Sequence, residues 1–163
     1  MNKIWIGNDH GGFEMKLQFI EHLEKNGYEV NNIGTNSTEI VRYPHFAQKV
    51  AMAVSSEEAQ RGILICSTGI GMSIIANKFK GVRASLCTST YMAKMTRAHN
   101  NSNILCIGGK ITGIFEALDI LDTWLSTAYE GGRHDISLGL IDEAENSICN
   151  PDGWIPKDLE HLL

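Results

Sequence analysis

The sequence predicts an α/β fold: a five-stranded parallel sheet, doubly wound and Rossmann-like, with helices on both faces in three layers. Three observations predict it. Apolar runs suited to strands alternate five times with segments of helical periodicity. The runs are continuously apolar rather than alternating, as strands covered on both faces are. Four of them end in glycines or small polar residues, "GNDHGG", "CSTGIGMS", "CTST" and "GGKITG", where strand-to-helix turns belong.

The elements follow in order. "KIWIG" is the first strand, and "FEMKLQFIEHLEKNG" places Phe13, Leu17, Ile20 and Leu23 at helical spacing before stopping at Asn26-Gly27. "YEVNNIG" is the second strand; after the polar loop "NSTEIVRY", Pro44 sits in the first turn of "PHFAQKVAMAVSS". The third unit pairs a strand over 61–66 with a helix over 71–79. "GVRASLC" with "TYMAKMTRAHN", and "NILCIGG" with "TGIFEALDILDTWLSTAY", complete the set. The α/β domain is expected to span 1–136, followed over 137–163 by a helix, Leu138 to Asn146, and a tail. That tail carries Trp154, Ile155, Leu159, Leu162 and Leu163, too much apolar surface to float freely, so it is expected to pack on the domain or a partner.

Composition bounds the function. At 163 residues with 43% hydrophobic and 20% charged, the chain supports one ordinary core. A formal charge of -5 argues against a nucleic-acid or anionic-membrane binder, which needs clustered excess Lys and Arg. No apolar run approaches the ~20 residues of a membrane span, and "MNKIWIGNDH" lacks a signal-peptide pattern, so a cytoplasmic location is expected. Cys66, Cys87, Cys106 and Cys149 show no CxxC pairing; neither disulfides nor a metal site is expected.

In open parallel sheets the ligand crevice lies outside the carboxyl ends of the strands, which selects these four turns. The stretch Ser67-Thr68-Gly69-Ile70-Gly71-Met72-Ser73 offers successive unobstructed backbone N–H groups, suited to a phosphate, carboxylate or enediolate oxygen. A tight turn that needs glycine for packing accounts for it equally well. No GxGxxG follows the first strand, so a dinucleotide is not expected. Cys66, at the strand end facing those N–H dipoles, reads either as a stabilised thiolate or as a small core residue; Cys87, Cys106 and Cys149 read as core. Asp9-His10 is a polar pair at a strand end, with a helix cap by Asp9 as its structural reading. His99-Asn100 ends a helix, where a histidine also answers the macrodipole. A non-catalytic anion-binding module and a thiol redox protein are the competing classes, the second disfavoured by the lack of a resolving cysteine near Cys66.

Together, "GNDHGGFEMK", "YPHFAQKVA", "GILICSTGIGMSIIANK", "GVRASLC", "RAHNNSNIL" and "YEGGRH" resemble the RpiB/LacAB sugar-phosphate isomerases, the ribose 5-phosphate branch most closely, over residues 1–134. The resemblance implies aldose–ketose isomerisation of a sugar phosphate, ribose 5-phosphate/ribulose 5-phosphate, through a cis-enediolate. It implies no cofactor, a role in pentose phosphate metabolism, and a homodimer, or a tetramer of such dimers, with sites shared between subunits. By that resemblance Cys66 moves the proton between C2 and C1 and Thr68 hydrogen-bonds the reacting oxygens. Ser67, Gly69, Ile70, Gly71 and Ser73 build the anion hole. His99 with Asp9 opens the sugar ring, Asn100 of the neighbour holds hydroxyls, and Tyr43 lines the site. His10, Lys110, Arg133 and His134 bind the phosphate end.

The sequence departs from the family at that end. The family carries a second arginine four residues after the first, and here that place is Ser137. Lysine or serine does not replace a bidentate guanidinium. Either Arg42 restores the charge, or the substrate is another sugar phosphate, such as a hexose 6-phosphate or tetrose phosphate.

Overall fold

A computed structural model describes residues 3–148; the expectations for Cys149 and the tail lie outside the described residues. The order is β1 (Lys3–Asn8), a 3-10 turn (His10–Gly12), α1 (Phe13–Lys25), β2 (Glu29–Asn32), α2 (Pro44–Ser55), β3 (Arg61–Cys66) and α3 (Ile70–Ala76). β4 (Ala84–Leu86), α4 (Thr90–Asn100), β5 (Ile104–Gly108), α5 (Ile114–Ser126) and α6 (Arg133–Ser147) complete it. All four strand pairings are parallel, in the order β2-β1-β3-β5-β4. The fold is therefore the doubly wound sheet the alternation predicts, and its direction of winding reverses between β1 and β3. That is the switch point at which such sheets open a crevice.

Side chains of successive strand residues point to opposite faces, and the two cores follow that period. Ile63 and Ile65 of β3 with Leu105 and Ile107 of β5 meet Phe19 and Leu23 of α1 and Leu121 and Trp124 of α5. Leu64, Cys66, Ile104 and Cys106 face the other way, onto Ala47, Val50 and Val54 of α2 and Met72 and Ala76 of α3. The small Ala47, Ala51 and Ala53 let α2 lie close to the sheet. Trp124 is wholly buried, its indole N–H donating to Ser102 Oγ at 3.2 Å, with the Arg61 and Arg97 guanidiniums 5.5 and 5.7 Å from its ring. Burial, with the like charges of Arg61 and Arg83, lowers the Arg97 pKa to about 10.

Two boundaries differ from the sequence reading. α3 ends at Ala76 rather than near residue 79 because Asn77 is taken by the sheet edge. Its side-chain Nδ2 donates to Ala84 O at 2.8 Å while its Oδ1 accepts from Ala84 N–H at 2.9 Å, so the side chain mimics a paired strand residue. α6 begins at Arg133, five residues before the expected Leu138, so it crosses the boundary drawn at 136. Gly131 and Gly132, with φ of +64 and +62, make the turn that opens it, and the Tyr129 hydroxyl donates to Asp135 Oδ1 at 2.7 Å across that turn. α6 buries none of its residues against its own chain.

Candidate active site

Three loops meet at the carboxyl ends of β1, β3 and β5, joined backbone to backbone. Asp9 N–H donates to Ile65 O at 3.1 Å, Gly109 N–H to Cys66 O at 2.8 Å, and Lys110 N–H to Ser67 O at 3.1 Å. A Cβ at Gly11 would fall 2.3 Å from Ser67 Oγ, and one at Gly109 would fall 2.7 Å from Gly11 O, so glycine is what allows the loops to touch.

Cys66 is 5% exposed at the end of β3, and its sulfur accepts from the Gly69 N–H at 3.1 Å. The expected thiol facing a backbone donor is thus present. Burial pushes the Cys87 thiol up to about 12 and holds Cys106 well above its ordinary range, which marks both as core residues. Thr68 Oγ1 accepts from Ile70 N–H at 3.4 Å. In the first turn of α3 the Gly71 and Met72 N–H groups have no intrahelical acceptor, while Ser73 N–H already bonds Gly69 O and Ser73 Oγ donates to Ile70 O at 2.8 Å. Ser73 therefore closes the turn, and the free donors are concentrated at its mouth. α3 has only seven residues, so these separate N–H groups matter more than any helix dipole.

Gly69 carries φ +76, and a Cβ there would lie 2.6 Å from Leu86 Cδ1 and 2.9 Å from Ile107 C. Gly69→Ala is expected to destabilise by about 2 kcal/mol or more and to displace the N–H from the sulfur. Gly81→Ala is the control, since Gly81 has φ +73 but nothing within 4 Å of an added Cβ. Thermal unfolding of the two variants separates left-handed backbone strain, common to both, from the collision, which only Gly69→Ala suffers.

Asp9 is buried, with Oδ1 accepting from Gly11 N–H at 2.8 Å; it caps the 3-10 turn, as the structural reading holds. His10 Nδ1 accepts from Val41 N–H at 3.3 Å, which places the ring proton on Nε2. Tyr43 lies over Gly71, where an added Cβ would fall 2.7 Å from its ring. Arg42 and Lys110 are exposed at this same end.

The remaining expected residues lie elsewhere. α4 returns from the carboxyl to the amino end of the sheet, where Arg83 Nε donates to Asn101 O at 3.1 Å beside the start of β4. There His99 stacks on His134, centroids 4.1 Å apart and planes at 15°, next to Asn100, Arg133 and exposed Ser137. Within one chain the Asp9–His99 pair is therefore not formed, and eleven helical residues at ~1.5 Å each separate the two clusters. A cleft of ≈ 870 Å³, lined by Val82, Arg83, Asn100, Ser137, Leu140 and Ile141 among others, adjoins the second cluster.

Sequence reasoning missed Glu130. Its carboxylate lies 3.8 Å from His99 Nε2 and 3.6 Å from His134 Nε2, and its N–H donates to Ala98 O at 3.0 Å. The i,i+4 spacing from Glu130 to His134 was the available signal, masked by the two glycines between them. Arg83 was missed as well, because it stands in a strand run.

A doubly wound sheet with a buried thiol and free backbone N–H groups at its switch point is a site suited to an anionic oxygen. The family model for ribose/galactose isomerase matches residues 4–141. Ribose-5-phosphate isomerase B of Escherichia coli is 48% identical over 134 residues, covering 82% of this chain and 90% of that protein. The Clostridium thermocellum ribose-5-phosphate isomerase B structure superposes with a TM-score of 0.88 at 51% identity, covering 90% of this chain and 99% of that one. A Mycoplasma genitalium ribose-5-phosphate isomerase B with bound ribulose-5-phosphate gives 0.85 at 37% identity, covering 88% and 96%. The chain belongs to the ribose/galactose isomerase family and is an aldose–ketose isomerase. Among the described residues no helix is long and apolar enough to cross a membrane.

Proposed function

We propose that this enzyme interconverts ribose 5-phosphate and ribulose 5-phosphate through a cis-enediolate, with Cys66 as the base, in a cytoplasmic homodimer. The observation that carries the reading is the Cys66 sulfur, held by the Gly69 N–H at the rim of unsatisfied backbone donors. A proton next to a carbonyl is lost only when the developing oxyanion meets preorganised donors, and losing one such donor costs on the order of 3–4 kcal/mol of barrier. Cys66 takes the proton from C2 of the open-chain aldose and returns it at C1. Thr68 and the nest from Ser67 to Ser73, with the free Gly71 and Met72 N–H groups at its mouth, hold the enediolate oxygens.

His99, Asn100, Arg133 and His134 then come from the partner. Three features support this. The clusters are separated within one chain, α3 exposes Ile70 and Ile74 beside the nest, and the apolar cleft next to Asn100 has room for such a helix. In the dimer His99 and Asp9 act on ring opening, Tyr43 walls the site, and His10, Lys110, Arg133 and His134 take the phosphate end. Free buried Cys66, Cys87 and Cys106 suit a reducing compartment.

Ser137 favours a second reading, the same chemistry on another sugar phosphate, because it is exposed on the cleft where the resemblance calls for arginine. An isomerase assay on ribose 5-phosphate, allose 6-phosphate, galactose 6-phosphate, erythrose 4-phosphate and unphosphorylated ribose decides. The expected result is highest kcat/KM on ribose 5-phosphate and none on ribose; a higher value on another phosphate overturns the substrate assignment. Arg133→Ala is expected to raise KM about tenfold or more for every phosphorylated substrate, as loss of a charge-assisted pair does.

A further inference from the structure

We propose that His99, Glu130 and His134 form a chelating site for a divalent transition-metal cation, Zn²⁺ above all, and that the bound ion silences isomerisation. The second half rests on the role of His99 given above; the first does not. The ligand atoms of the three side chains lie within 4.8 Å of one another. Donors around a tetrahedral ion with ~2.0–2.1 Å bonds stand about 3.3 Å apart, so the observed 3.8 and 3.6 Å to Glu130 need to close by about half an ångström or less.

The backbone already gathers them. The positive-φ turn at Gly131 and Gly132 folds Glu130 back onto His134, and the Glu130 N–H to Ala98 O bond fixes it beside His99. Two imidazoles and one carboxylate suit Zn²⁺ better than Ca²⁺ or Mg²⁺ and leave a fourth position open. The stacked rings cannot both aim an in-plane lone pair at one ion, so one ring turns out of the stack on binding. Side-chain exposures of 35% at His99 and 58% at Glu130 leave room for that turn and for the ion to enter. This reorganisation makes the site weaker than a structural zinc site, and therefore reversible. An ion held there takes the His99 and His134 nitrogens away from the sugar.

The test titrates Zn²⁺ into chelator-stripped full-length protein by calorimetry, with Co²⁺ absorption reporting tetrahedral ligation. One saturable ion per chain is expected. Glu130→Gln is expected to weaken it by about tenfold or more, since even outer-shell losses reach that size, and His134→Asn to abolish it, with far-ultraviolet circular dichroism confirming the fold. Turnover of the wild type is expected to fall in step with occupancy and recover with chelator. Absence of saturable binding, or equal binding by the Glu130→Gln, His134→Asn double variant, overturns the site. Binding without loss of turnover overturns the inhibition. Calorimetry needs no substrate, so a failure of the isomerase reading leaves the metal result legible.

Discussion

Cys66→Ala is expected to keep sugar-phosphate affinity within a few-fold and to lose kcat by about three orders of magnitude, within the ~10²–10⁴ range of a positioned acid–base group. The binding groups and the donors of the nest are backbone or belong to other side chains, so truncating one thiol leaves them in place. The proton at C2 then has no acceptor. Steady-state kinetics beside calorimetric binding of ribose 5-phosphate checks both halves, and exchange of the substrate C2 hydrogen with solvent, where it is detectable in the wild type, should vanish in the variant. Cys106→Ser is the control: its thiol is wholly buried with a strongly raised pKa, so kcat of the folded variant should stay near wild type even if stability falls. Retention of full turnover by Cys66→Ala would remove the cysteine from the chemistry.

Mixing two inactive variants is expected to restore activity. If each site takes Cys66 from one chain and His99 from the other, a hybrid of Cys66→Ala with His99→Asn holds one site with both lesions and one with neither. Random pairing of equal amounts makes half the dimers hybrid, and half of their sites intact, so about a quarter of wild-type turnover should return. The variants must be mixed under conditions that exchange subunits, and the regained rate compared with each variant alone. No recovery despite demonstrated exchange would put both residues in the same chain's site, against the separation of α4's end from the nest. Recovery near a quarter would make sharing the only arrangement that fits.

Much of the fold is legible in the sequence. The apolar runs of β1, β3 and β5 give the parallel sheet because burial on both faces leaves no reason for alternation, while the edge strands β2 and β4 are only partly buried and β2 reads polar as Glu29-Val30-Asn31-Asn32; the glycine turns follow from loops that must touch. Cys66 stood out because its strand ended at that turn. Position across the sheet is legible as well: Asp9 follows a strand, at the crevice end, whereas His99 closes a helix and reaches a crevice only if a neighbouring subunit brings it. What the sequence could not carry was the reach of individual side chains, such as Glu130 onto His99 and His134. The early start of α6 was also hidden: two glycines read as an extended turn, although their left-handed conformation is what starts the helix. Asn77 ended α3 through a pairing with Ala84 that no helical periodicity contains.

The main-chain seams between the β1, β3 and β5 loops have an evolutionary consequence. Because Asp9, Gly109 and Lys110 are fastened through their amides, replacement of the Lys110 or Ser67 side chain leaves those fastenings in place. Selection can therefore trial new side chains for new sugars without dismantling the frame that presents the thiol, the glycines alone being held fixed. A lineage can in this way diversify what it accepts while inheriting how it reacts.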